Sequence, residues 1–152
     1  EGLFNIIQFD IEGRRVLDLF AGTGQLGIEC LSRGAAYCDF ADSAPAAMKI
    51  IKENVAACGF TDRAAFHQKD FTAVLAMPGK KYDLVFLDPP YASGCMERAL
   101  ELIADIDIMS GNGIIVCETP VDHTLPDLPA PYVRGREYRY GRIKLTLYRR
   151  SV

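Results

Sequence analysis

Apolar positions along the chain follow two rhythms that take turns. Short continuous runs read as buried strands, and the segments between them keep helical spacing. "RRVLDLF" (14–20) is the first predicted strand, with Val16, Leu17, Leu19 and Phe20, and "LGIECLSRG" (26–34) is the helix after it, with Gly34 as its stop. "AYCDFAD" (36–42) is a second strand. Ser43 is positioned to cap the next helix, and Pro45 is tolerated in its first turn. Ala47, Ile50, Ile51, Asn54, Val55 and Cys58 then keep helical spacing until Gly59. Residues 63–68 predict a third strand, 71–76 a short helix and 82–88 a fourth strand. Residues 95–106 predict a helix with Ala99, Leu100 and Ile103 on one face, and 113–118 a fifth strand. Four prolines between 120 and 131 mark a loop, and the two runs flanking Gly141 read as a terminal hairpin.

Strands that alternate with helices predict a parallel sheet covered on both faces, joined by right-handed crossovers. The expected fold is therefore α/β, doubly wound and Rossmann-like. Its sheet has seven strands, mostly parallel, with an antiparallel terminal hairpin. With 152 residues, 49% of them hydrophobic, residues 1–152 are expected to form one domain with its own core. Leu3, Phe4, Ile6 and Ile7 have helical spacing with no capping residue before them, so the chain is expected to begin inside a helix, as if truncated.

Composition narrows the function classes. No run approaches the roughly 18 apolar residues of a membrane span, and the start lacks the basic region of a signal peptide. The five cysteines are odd in number and scattered, and the two histidines have no ligand neighbours nearby, so reduced thiols are expected and a zinc site is not. Together these features predict a cytoplasmic protein with no membrane or metal partner. The net charge of −3 argues against nucleic-acid binding over the whole surface. From Arg134 to Arg150, however, seven basic residues face one acid, Glu137, with Tyr138, Tyr140 and Tyr148 among them. That segment suits either an edge hairpin kept soluble by charge or a docking surface for phosphates and bases. Strand periodicity puts Arg134, Arg136 and Tyr138 on one face of it.

Two constellations carry candidate chemistry. "DLFAGTGQLG" (18–27) sets Gly22-x-Gly24-x-x-Gly27 between the first strand and the first helix, where glycines permit a sharp turn and close approach of a ligand. Asp42 follows about 20 residues on, where an acid can hold ribose hydroxyls and disfavours a 2′-phosphate. Asp18 precedes the loop. An anion there suits a positively charged methionine portion better than a pyrophosphate, which favours S-adenosylmethionine over a nicotinamide cofactor. The second constellation, "LDPPY" (87–91), ends the fourth strand. Pro89 and Pro90 have fixed φ and no N–H, and Asp88 is biased to extended geometry by the proline after it. A carboxylate and a rigid carbonyl are thereby offered to a planar –NH₂ group, and Tyr91 can stack on the ring that carries it. Such a grip favours pyramidal nitrogen and stabilises the charge that develops during attack.

These stretches resemble the amino-group methyltransferases that use S-adenosylmethionine, with the class I methyltransferase fold. The closer resemblance is to the bacterial 16S ribosomal RNA guanine-N2 methyltransferase family (RsmD-like). It is carried by "LFN" at 3–5, "VLDLFAGTGQLGIECLSRGA" at 16–35, "DLVFLDPPY" at 83–91 and "LTLYRR" at 145–150. The resemblance implies that Asp18, Gly22 and Gly24 surround the methionine portion, Asp42 the ribose, and Asp70 and Phe71 the adenine, with Phe20, Thr23 and Ser43 in the same cofactor site. It implies that Asp88, Pro89, Pro90 and Tyr91 hold the target base, and that ribosomal RNA or the small ribosomal subunit is the partner. Arg134, Arg136 and Tyr138 are the expected RNA contacts. The family usually has Glu where this chain has Asp42, and an Arg-Pro-containing segment before its "LFN" helix that this sequence lacks. The same tetrapeptide also suits adenine N6 in RNA or DNA. A domain that only binds S-adenosylmethionine is a second class of reading, and a nicotinamide oxidoreductase, resting only on the glycine loop, a third.

Overall fold

The computed structural model describes residues 2–90 and 93–152. Tyr91, expected to stack on the target base, lies outside them. The elements follow the sequence rhythm: α1 (Gly2–Ile6), β1 (Arg15–Asp18), α2 (Gln25–Ser32), β2 (Tyr37–Ala41), α3 (Pro45–Ala57), β3 (Ala64–His67), α4 (Phe71–Leu75), β4 (Tyr82–Leu87), α5 (Cys95–Ile106), β5 (Met109–Pro120), β6 (Tyr132–Tyr140) and β7 (Ile143–Arg150). They build one seven-stranded sheet in the order β3-β2-β1-β4-β5-β7-β6. The first five strands pair in parallel, and β7 runs antiparallel to both β5 and β6. Strands 1 to 3 wind one way from the centre and strands 4 and 5 the other. The switch point, where a ligand crevice is expected, lies between β1 and β4.

A parallel sheet must be covered on both faces, because its strands are apolar on both. Alternation along β4 shows this directly. Leu84 and Phe86 join a core with Phe4, Ile7, Phe40, Met48 and Ile51, beneath α1, α2 and α3. Val85 and Leu87 join the opposite core with Met96, Leu100, Ile103 and Tyr148, beneath α4 and α5. The end of α5 is pinned to the hairpin. Asp107, at φ +60°, accepts two hydrogen bonds from Arg150, at 2.8 Å from Nε and 2.9 Å from Nη2, and one from the Tyr132 hydroxyl at 2.6 Å. These donors hold its carboxyl well below the usual carboxylate range.

Two expectations are corrected. The fifth strand begins at Met109, four residues earlier than expected. The run Ser110-Gly111-Asn112-Gly113 resembles a turn in sequence, yet it is absorbed by a shift in register between Tyr82 and Leu84 on the neighbouring strand. The second correction concerns the hairpin. Between Arg134↔Tyr148 and Glu137↔Thr146, β6 uses three steps where β7 uses two, so one extra residue is bulged out. Directly opposed residues share a face, so Arg134, Glu137 and Arg139 go with Tyr148, Thr146 and Lys144, and Tyr138 and Tyr140 go with Leu145 and Ile143 on the other side. Arg134 is thus separated from Tyr138. Its guanidinium instead reaches Asp127 at 3.0 Å and Glu137 at 3.7 Å. Arg136 remains with Tyr138, its guanidinium 5.8 Å from the ring centroid.

The third glycine of the loop motif is a packing residue. A Cβ on Gly27 would stand 2.4 Å from the Phe40 ring and 2.7 Å from Cys38 Sγ, both fully buried on β2. Gly27→Ala is expected to push α2 off the sheet and lower the unfolding free energy by about 1–3 kcal/mol, the usual range for overpacking. Urea denaturation followed by circular dichroism measures it.

Candidate functional site

Both candidate constellations come from the carboxyl ends of parallel strands. At the end of β1 the chain turns at Gly22 (φ +61°) and Gly24 (φ +83°) before α2 starts. L-residues with a side chain rarely adopt these angles. Gly22 N–H donates to Asp42 Oδ2 at 3.0 Å, while Asp42 Oδ1 accepts from Ala44 N–H at 3.0 Å. The acid at the end of β2 therefore ties the loop after β1 to the start of α3. Asp42 also displaces Ser43 from its expected capping role: the helix begins after Ala44, and no side chain caps it. At the end of β3, Asp70 caps α4, accepting from the Thr72 N–H at 3.0 Å and from the Thr72 hydroxyl. These bonds lower its pKa.

A cleft of about 370 Å³ opens over these turns. Phe20, Gly22, Asp42, Ser43, Asp70 and Phe71 line it, as expected from sequence, together with Asp88, Pro89 and Pro90. Phe20 and Phe71 flank it as a tilted aromatic pair with centroids 5.3 Å apart. Among the described residues a Cβ on Gly22 would meet nothing within 4 Å. Lys69 and Cys95 also line the cleft and were not expected from the sequence.

Three expected cofactor residues stand elsewhere. Gly24 is buried, and a Cβ there would approach Ile51 and Ile28 at 3.3 and 3.5 Å, towards the helices and not the cleft. Thr23 is exposed, and its carbonyl accepts from Asn54 Nδ2 at 2.9 Å. Asp18 is 2% exposed and sits behind the wall, where its Oδ2 accepts from Gly27 N–H at 3.1 Å. Its strand position was legible, but its direction was set by the need to receive an N–H from the first turn of α2. Burial pushes its pKa up to about 7. The Gly27 N–H opposes that rise, and the charges of Asp88 and Asp42 add to it.

A second cavity, of about 400 Å³, adjoins the first, and Asp88, Pro89 and Pro90 line both. Its other walls are the first turn of α5, the end of β5 and the turn between β6 and β7. They contribute Ser93, Glu97, Glu118, His123 and Arg142. His123 Nε2 lies 2.6 Å from Glu97 Oε2 and joins the loop after β5 to α5. Sequence reading missed all five, because they come from segments far apart in the chain. Protein closing around the Asp88 carboxyl raises its pKa even though the residue stands open at the cavity mouth. Glu118 is raised by burial and by the charge of Asp88.

The first cleft suits a ligand of nucleoside size with a cationic arm. Two rings can flank a base, Asp42 can accept from hydroxyls, and the acids Asp42, Asp70 and Asp88 outnumber the one basic lining residue, Lys69. A pyrophosphate would meet repulsion there. Among the described residues no group of His, Cys, Asp and Glu could hold a metal ion, and no helix is long and apolar enough to cross a membrane.

Comparison with known proteins bears on the whole chain. The family model described as conserved hypothetical protein 95 matches residues 1–149. A Bacillus subtilis protein named "Putative rRNA methyltransferase YlbH" is 34% identical over 153 residues, covering 99% of this chain and 83% of that protein. "Ribosomal RNA small subunit methyltransferase D" of Escherichia coli K12 is 32% identical over 151 residues, covering 99% of this chain and 76% of that protein. A solved structure of a conserved hypothetical protein from Streptococcus pyogenes superposes with a TM-score of 0.91 at 33% identity, covering 99% of this chain and 94% of the other.

The buried Asp18 makes a prediction about pH. A carboxyl with a raised folded pKa binds its proton more tightly in the fold than in the unfolded chain. The stability it contributes is full below about pH 4, the unfolded value, and is lost as pH rises through about 7. Asp18→Asn keeps an acceptor for Gly27 N–H and has no proton to lose. Relative to wild type, the variant is expected to gain stability between pH 4.5 and 7.5, read from denaturation midpoints at the two pH values.

Proposed function

The chain belongs to the family described as conserved hypothetical protein 95, and from that premise we propose that it methylates the exocyclic N2 of a guanine in small-subunit ribosomal RNA, with S-adenosylmethionine as donor. The observation that carries this reading is the shared wall. Asp88, Pro89 and Pro90 separate a nucleoside-sized cleft from a cavity that can receive a base, so donor and acceptor meet across one rigid segment. The names of the relatives support ribosomal RNA as substrate.

S-adenosylmethionine supplies a methyl group on a sulfonium, which leaves as a neutral thioether. The chain's part is to make a poor nucleophile attack. The lone pair of N2 is delocalised into the guanine ring, and Asp88 accepting from N2–H favours the pyramidal form in which that pair is free. As the N–C bond forms and the S–C bond breaks, positive charge moves onto N2, where the carboxylate stabilises it. The extra proton on N2 then leaves to Asp88 or to water. The prolines hold the acid in place, so little motion is needed when charge develops.

RNA approaches this cavity beside the hairpin turn. Arg142 lines the cavity mouth, whereas Arg134 is engaged by Asp127 and Glu137. We therefore place the main phosphate contact at Arg142, in preference to the Arg134, Arg136 and Tyr138 face expected from periodicity.

Two experiments test this reading. In the first, labelled S-adenosylmethionine and small ribosomal subunits are incubated with full-length protein, and the methylated nucleoside is identified. Asp88→Ala is expected to cut methyl transfer at least 10²-fold while S-adenosylhomocysteine still binds, as for loss of one transition-state contact. Asp42→Ala is expected to do the reverse, weakening that binding by about 1.5–3 kcal/mol. A fully active Asp88→Ala enzyme would remove the proposed chemistry. The second measures RNA binding against salt: Arg142→Glu should lower the slope by about one contact or more, and Arg134→Glu should change it less. Equal slopes in wild type and Arg142→Glu would exclude the hairpin turn as the docking point.

A further inference from the structure

β4 and β5 are parallel neighbours in unbroken register from Leu84↔Ile114 to Leu87↔Cys117. Leu87 and Cys117 both enter the core beneath α5. The next residue on each strand is an acid, Asp88 and Glu118. Both line the base cavity, and both also line a small hollow with Leu3, Val116 and Leu145 on the opposite face of the sheet from α5. The two carboxylates are therefore side by side on strands about 4.8 Å apart.

Like charges in this position cost stability, and proteins commonly offset them with a cation. Among the described residues no ion pair involves either acid. Burial and the charge of Asp88 raise the pKa of Glu118, and burial raises that of Asp88. What would satisfy both acids at once is a ligand edge with adjacent hydrogen-bond donors. Guanine has such an edge. Its N1–H and N2–H₂ lie side by side, so one carboxylate can take N2–H and its neighbour N1–H. Adenine presents a donor beside an acceptor, and its N1 lone pair would face a carboxylate.

We propose that Glu118 is the specificity-determining residue of the base cavity, accepting N1–H of guanine while Asp88 holds N2–H. This rests on the reading that the target base enters the cavity beside Asp88. Glu118 does not line the cofactor cleft, so its part is to select the base, separate from donor binding. It also gives the chain a reason to select guanine that the Asp-Pro-Pro-Tyr tetrapeptide alone does not provide.

The test uses 2-aminopurine, which keeps the N2 amino group and has an acceptor at N1. It is placed at the guanine that product analysis identifies, in ribosomal RNA assembled into small subunits. Full-length wild type is expected to prefer guanine by at least about 10²-fold in kcat/KM, because a site built for a donor rejects the analogue lacking it. In Glu118→Gln the amide can turn its NH₂ towards an acceptor. The preference is expected to narrow at least tenfold, with a measurable gain on 2-aminopurine and unchanged affinity for S-adenosylhomocysteine. A purely structural role for Glu118 would lower both rates together and leave their ratio as in wild type, and that result would overturn the assignment. Product analysis of wild type decides the underlying reading separately. If its methyl group is found anywhere but guanine N2, the proposed function fails and the assignment to Glu118 fails with it.

Discussion

Parallel pairing is the constraint on which the rest depends. Strands β1, β2, β3, β4 and β5 run the same way, so all their carboxyl ends arrive at one edge of the sheet, and each brings an acid there: Asp18, Asp42, Asp70, Asp88 and Glu118. None of these acids is near another in sequence. Register alone makes them neighbours, and the change of winding direction between β1 and β4 opens the space above them. Each then takes a different task according to what its surroundings offer. Asp18 receives an N–H from α2, Asp42 ties down the glycine loop and Asp70 caps α4, while Asp88 and Glu118 face open cavities.

A sixth strand acid shows what a structural carboxylate looks like in this fold. Asp39, in the middle of β2, is fully buried, but the chain supplies it with partners. Oδ2 lies 3.2 Å from Lys80 Nζ and accepts from the Tyr82 hydroxyl, while among the described residues Oδ1 has no hydrogen-bond partner, with His67 3.8 Å away. A cation and a hydroxyl on one oxygen offset part of the cost of burying this carboxyl. Among the described residues the acids at the ends of β4 and β5 have no such partners, and they border a cavity; that contrast supports assigning them to a ligand.

Much of the fold was legible because the hydrophobic period changes cleanly between strand and helix. The range expected for α5, 95–106, is the one observed, since Ala99, Leu100 and Ile103 leave no other face to bury. The cofactor cleft was legible in part. A glycine motif reports where a backbone turns, but only the three-dimensional path says which glycine meets ligand, and here Gly22 borders the cleft while Gly24 and Gly27 face protein. The base cavity was half hidden. Asp88, Pro89 and Pro90 announce themselves locally, whereas Glu118 and Arg142 matter only through register. The error at Arg134 came from assuming unbroken alternation. Gly135 was the available signal, for a glycine inside a strand often marks a bulge, and a Cβ there would lie 3.0 Å from the Leu147 carbonyl oxygen.

The strand order has a consequence for how the molecule is made. β6 precedes β7 in the chain, yet among the described residues it pairs only with β7, which itself lies between β5 and β6. During synthesis the parallel part of the sheet can assemble while β5 still presents an open edge and β6 has emerged with no strand to join. At that stage the nascent chain is exposed to mispairing with its neighbours on a polysome. Arg134, Arg136 and Arg139 on β6 would repel a second copy of the same segment during that wait. The charge on this edge strand would thus act during synthesis as a chaperone built into the strand.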